Sequence, residues 1–213
     1  MEKTISMKAL MDELDNLFSE KIINYGFKRK KKMTYIKNIG EAVYGISFST
    51  TKIMQQDRIH IYVILSLNFE ILNKLMMYLM NDYSFKGMQS IVINAVNLKP
   101  SEGKFSFYVD KETNISELVD EIINDFEKYA LHIFDTIDTY KKLQNEINGD
   151  GKMIKWLVFK KEWFVLALAI ILKNESLNSI IEKHSFEFDS NDETAETLLE
   201  RVNDYNKILE IIK

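Results

Sequence analysis

Between Arg58 and Phe69 the chain alternates without a slip. Ile59, Ile61, Val63, Leu65, Leu67 and Phe69 take every second position, and His60, Tyr62, Ile64, Ser66 and Asn68 fill the gaps. A period of two sends successive side chains to opposite faces of a strand, so one face here is oily and the other is mixed. That is the signature of a half-buried antiparallel strand; parallel strands, covered on both faces, read as continuous apolar runs. Such a strand needs partners, because one or two strands alone are unstable in water.

The partners are legible on both sides. In Glu41–Lys52, Tyr44, Ile46 and Phe48 alternate with Gly45, Ser47 and Ser49, and Lys32–Ile39 reads as a further strand closed by Asn38-Ile39-Gly40. The connections Asn38–Glu41 and Ile53–Asp57 are short enough for hairpins. Two later strands are expected at Gln89–Leu98 and Lys104–Val109. Pro100-Ser101-Glu102-Gly103 between them is a turn, with Pro fixing φ and Gly permitting a positive one.

Elsewhere the apolar period is helical. Met7, Leu10, Met11, Leu14, Leu17, Phe18 and Ile22 form one stripe, predicting a helix over about residues 5–25. Ser6 or Thr4 suits its start, and Gly26 the left-handed position past its end. Leu72, Leu75, Met76 and Leu79 mark a second helix. From Ile115 to about Ile147 the spacing gives one long helix or two joined ones. Asn148-Gly149-Asp150-Gly151 is the clearest break. It separates a sheet domain, residues 1–148, from a C-terminal helical region, residues 149–213, either separate or packed on the first as one unit. Helices are expected there at Trp156–Leu172, Glu175–Lys183 and Asp192–Ile212. The expected class is α+β: a mostly antiparallel sheet of about five strands, flanked by an N-terminal helix and a long helix and followed by helices.

Composition removes several chemistries. The chain has 213 residues and no Cys, which excludes thiolate catalysis and Cys-based zinc or iron–sulfur sites and fits a reducing cytoplasm. The first residues, Met1-Glu2-Lys3-Thr4-Ile5-Ser6, lack the apolar core of a secretory leader. The longest apolar run, Trp163–Leu172, is half of the roughly 20 residues that a membrane-spanning helix needs. Net charge is −4, but it is uneven: Asn174–Lys213 holds ten acidic against four basic residues, a net of −6, leaving +2 for the rest. Such polarity steers partners more than it shapes folds.

The sharpest positive feature is Lys28-Arg29-Lys30-Lys31-Lys32, directly after Gly26-Phe27. Gly26-Phe27-Lys28-Arg29-Lys30, then Tyr35, Ile46-Ser47-Phe48-Ser49 and the Ile59–Phe69 strand, resemble an uncharacterised bacterial family known only as domain-of-unknown-function family 4304. The resemblance covers about residues 10–110. It implies an α+β fold and a bacterial origin, and it carries no activity, cofactor or catalytic residue with it.

Read as a connection, the cationic run has three uses. It can be a solvated loop whose charge deters edge-to-edge pairing. It can meet an acidic protein. It can also neutralise phosphates of nucleic acid, with Phe27 and Tyr35 adding stacking. On the mixed face of the central strand, His60 and Tyr62 are candidate binding residues. His132 lies on the polar side of the long helix, where Tyr129 stands in place of the Glu that a Glu-x-x-His metal motif requires. His184 sits among Glu182, Glu187 and Asp189, an arrangement too common to specify a metal. Gly45-Ile46-Ser47-Phe48-Ser49 is half of a nucleophile elbow and lies in a strand. No Gly-rich phosphate loop occurs. Met76, Met77, Met80 and Met88 fill core, with Met77 and Met80 off the main stripe and free to line an apolar patch.

The expectation is therefore a cytoplasmic protein-binding module without catalytic activity, cofactor or metal, its concrete version a toxin-neutralising immunity-type protein. Lys28, Arg29, Lys30, Lys31, Lys32, Tyr35, His60 and Tyr62 are its candidate binding residues. The alternative is a nucleic-acid-associated protein docking through Lys28–Lys32.

Overall fold

The computed structural model describes residues 6–53, 57–84, 89–95, 106–148, 161–172 and 200–212. They fall into two units. The first combines segments 1–39, 43–66 and 93–136, and the second takes the remaining ones, 40–42, 67–92 and 137–213. The expected boundary at 148–151 lies largely outside the described residues.

The first unit opens with α1, Met7–Ile22. Its start is fixed by Ser6, whose Oγ accepts the Ala9 N–H at 3.2 Å. A short 3-10 turn, Ile23–Tyr25, follows, and Gly26 ends it at φ 82°, the left-handed value expected of it. Four strands then run in succession: β1 (Lys28–Lys31), β2 (Thr34–Ile39), β3 (Ala42–Ile53) and β4 (Arg58–Asn68). With β5 (Ile91–Asn94) and β6 (Ser106–Val109) they form a sheet in the order β1-β2-β3-β4-β5, and β6 also pairs with β4. The α+β expectation holds, with an antiparallel sheet of five to six strands.

Four of the five cations, Lys28–Lys31, form a strand where the sequence suggests a connection. β1 pairs antiparallel with β2 through Lys28↔Ile36, Arg29↔Tyr35 and Lys31↔Thr34, so Lys30 is the extra residue of a bulge. The turn falls instead at Lys32-Met33, where Met33 takes φ 60°. Lysine is a poor strand former, and pairing with β2 overrides that preference.

The oily side of the sheet meets α1 and, after β6, the helical residues Phe126 and Phe134. Phe18 packs edge-on against Tyr35 and Phe48, with centroids 5.0 and 4.8 Å away. A second aromatic group joins Phe27, Phe126, Phe134 and Tyr44. Of the two expected forms, one long helix or two joined ones, the second is found: α3 (Ile115–Asp125) runs through a π-helical stretch at Phe126–Ala130 into α4 (Leu131–Thr136), and after a short break comes α5 (Tyr140–Asn148). Asn114 caps α3 by accepting the Ser116 and Glu117 N–H groups at 3.1 and 3.3 Å.

The second unit holds α2 (Glu70–Met80), α5, α6 (Lys161–Ile171) and α7 (Tyr205–Ile212). α6 buries Trp163, Phe164, Leu166, Ala167, Leu168 and Ala169 and packs on α2. Met76 and Met77 are buried, as the core-filling reading of the methionine cluster expects. A buried polar chain closes the start of α2: the Phe69 N–H donates to Ser90 Oγ at 2.9 Å, and that hydroxyl donates to Asn73 Oδ1 at 2.7 Å. No helix among the described residues is long and apolar enough to cross a membrane.

Candidate functional site

Two places in the first unit concentrate polar chemistry. One is the corner made by α1, β1 and β2. α1 presents its apolar stripe to the sheet, and Asp15 lies within that stripe, fully buried. A bare carboxylate there would be expensive, so its oxygens are saturated. Asp15 Oδ1 accepts the Met33 N–H at 2.8 Å. It also accepts the Tyr35 hydroxyl, and that same hydroxyl reaches the Asp15 carbonyl at 2.8 Å. The Arg29 guanidinium pairs with Oδ2. One side chain of α1 thus fixes the left-handed turn residue, the first ring of β2 and a cation of β1.

This geometry redistributes the residues expected to bind. Tyr35 is 0% exposed and Phe27 1%, so neither ring can stack on a base. Burial, then the bond to Asp15, pushes the Tyr35 hydroxyl well above the usual phenol range. Tyr35 leaves the list of contact residues and joins the core. Arg29 is committed to Asp15, and Lys32 pairs with Asp12, which that bond holds below the usual carboxylate range. Lys28, Lys30 and Lys31 remain exposed.

The second place is the outer face of β4 and β6. Their register is Ile59↔Val109, His60↔Tyr108, Ile61↔Phe107 and Tyr62↔Ser106. Alternation buries Ile61, Phe107 and Val109 on the core side. It leaves His60, Tyr62, Tyr108 and Ser106 together on the other. The His60 ring stacks on Tyr108, with centroids 4.4 Å apart and planes 9° off parallel, and leans on Tyr62 at 4.0 Å. His60 Nε2 and Ser106 Oγ share a hydrogen bond. Tyr108 keeps 53% of its surface exposed. The sequence placed His60 and Tyr62 on one face; it missed Tyr108 and Ser106, because β6 is short and its register is set by pairing rather than by local pattern.

An open groove of about 350 Å³ runs beside this face, lined by Ser106, Phe107, Tyr108, Thr113, Asn114, Glu117, Leu118 and Glu121. Beside a groove, Ser106 and His60 are a nucleophile and a base in contact. Acyl transfer also needs an acid to orient the imidazole and donors for an oxyanion. Among the described residues no carboxylate hydrogen-bonds the His60 ring, whose faces are taken by tyrosines.

His132 is exposed on α4, and no group of three or more metal-binding side chains converges among the described residues. His184 and Met88 lie outside them. No family model, no curated protein and no solved structure matches the chain, so its own residues carry the functional argument.

Proposed function

We propose that this chain is a protein-binding module of the bacterial cytoplasm that acts by recognition rather than catalysis. The contact surface is the outer face of β4 and β6. The observation that carries this reading is the His60–Tyr62–Tyr108 cluster: rings stacked on one another across paired strands, with half of Tyr108 in solvent. Pre-ordered aromatics with a polar tip lose little entropy on binding and dominate interface energetics. The uneven charge of the chain supports a partner chosen by electrostatics. An immunity-type protein that masks a toxin is the concrete form of this reading. Membership of family 4304 belongs to the same proposal and adds no activity to it.

A photo-crosslinking residue at Tyr108 tests it. In extracts of a native host it should trap a discrete protein, and the same residue at exposed Asn16 on α1 should not. Failure to trap a protein at Tyr108, with turnover of a small substrate that is lost in Ser106→Ala, would replace the module by an enzyme.

The nucleic-acid alternative keeps one observation, the exposure of Lys28, Lys30 and Lys31. Burial of Phe27 and Tyr35 removes its stacking component. Its mark would be an affinity for DNA or RNA that falls steeply with salt.

A further inference from the structure

We propose that β1 is a second recognition surface, an edge that pairs with an extended acidic segment of a protein. This goes beyond the aromatic-face reading and holds whether or not that face is occupied. β1 ends the strand order, so its outer side has no neighbouring strand among the described residues. All four of its residues are exposed. Among the described residues its backbone bonds only to β2. Alternate N–H and C=O groups on such an edge are matched by one kind of ligand, another extended backbone.

Charge decides which backbone. Arg29 and Lys32 are spent on Asp15 and Asp12, whereas Lys28, Lys30 and Lys31 have no ion pair among the described residues. Lysines and a bulge on an edge are devices that stop strands from joining at random. Here they act as a filter. A second copy of β1, or any basic segment, meets like charge. A segment with Glu or Asp at alternate positions neutralises the lysines as it pairs, so repulsion of the wrong strand and attraction of the right one come from the same residues. Nucleic acid fits less well: a phosphate backbone offers no partner for the strand's C=O groups, and the nearby rings of Phe27 and Tyr35 are buried.

A short labelled peptide alternating Glu and Thr is the probe. It should bind the intact chain at low salt and slow amide exchange at residues 28–31. An analogue with the same charge but alternate backbone nitrogens methylated should bind about tenfold more weakly or worse, since two or more edge hydrogen bonds are lost. Combining Lys28→Glu, Lys30→Glu and Lys31→Glu should abolish binding, with circular dichroism showing that the fold persists; if that variant does not fold, exchange on the unaltered chain decides. Tyr62→Ala with Tyr108→Ala should leave peptide binding unchanged, which separates this edge from the aromatic face. The proposal is overturned by no binding, by equal binding of the methylated analogue, by protection away from β1, or by a single-stranded oligonucleotide binding more tightly than the peptide.

Discussion

The Asp15 corner and the His60 face both mix polar and aromatic groups on the same sheet, and they use them in opposite directions. At the corner the aromatics point inward, and charge is consumed to hold β1 and β2 on α1. At the face the aromatics point outward, and a hydrogen bond between side chains, His60 to Ser106, steadies a surface. The most conspicuous stretch of the sequence, five cations in a row, is thus partly a folding device. The least conspicuous, the even positions of β4, carries the surface proposed for recognition. Density of charge in a sequence does not locate function until its internal partners are known.

This contrast can be broken by mutation. The largest expected effect is at Asp15. Asp15→Ala orphans the Met33 N–H, leaves the Tyr35 hydroxyl only the backbone carbonyl of residue 15 and removes the carboxylate that pairs with Arg29, and should cost about 2–4 kcal/mol in urea unfolding, at roughly 1–3 kcal/mol for an orphaned group and for a bond to a charge. Tyr35→Phe keeps the ring and removes one donor, and should cost about 1–2 kcal/mol by the same measurement. Tyr108→Ala should shift stability by no more than about 1 kcal/mol, the worth of one aromatic stack on a half-exposed residue. Equal losses at Asp15 and Tyr108 would erase the distinction between corner and face.

Alkaline pH sharpens it further. The bond to Glu127, then burial, pushes the Tyr25 hydroxyl up to about 12, and burial with the Glu41 charge pushes Tyr140 up to about 12. Tyr35 moves the same way. A phenol that holds its proton more tightly when folded contributes stability that is complete below the unfolded value of about 10. That stability is lost as pH rises from there through the folded value. Melting temperature should therefore fall between pH 10 and 12, and the fall should shrink in Tyr35→Phe. Lys28→Glu has the smallest expected effect on stability, within about 0.5 kcal/mol, because the side chain is exposed and without an ion pair among the described residues.

Much of this fold is legible from periodicity. The alternation at 58–69, the stripe at 7–22 and Gly26 define β4, α1 and the end of its 3-10 extension, and the structure places them there. β1 is not legible, because its strand character comes from pairing across a turn held by Met33 and Asp15 rather than from its own side chains. Nor is Asp15: within an apolar stripe it reads as an interruption, and its use depends on Tyr35, Met33 and Arg29, which lie 14–20 positions away. The candidate site was half visible. His60 and Tyr62 declare their face by alternation, while Tyr108 joins them through a register that only the β4–β6 ladder sets.

The most direct test of the account is partner capture by a chain carrying both Tyr62→Ala and Tyr108→Ala. The account predicts that the protein trapped through position 108 of the unaltered chain is lost by the double variant, whose urea midpoint stays close to that of the parent. Undiminished capture by the folded double variant would contradict it.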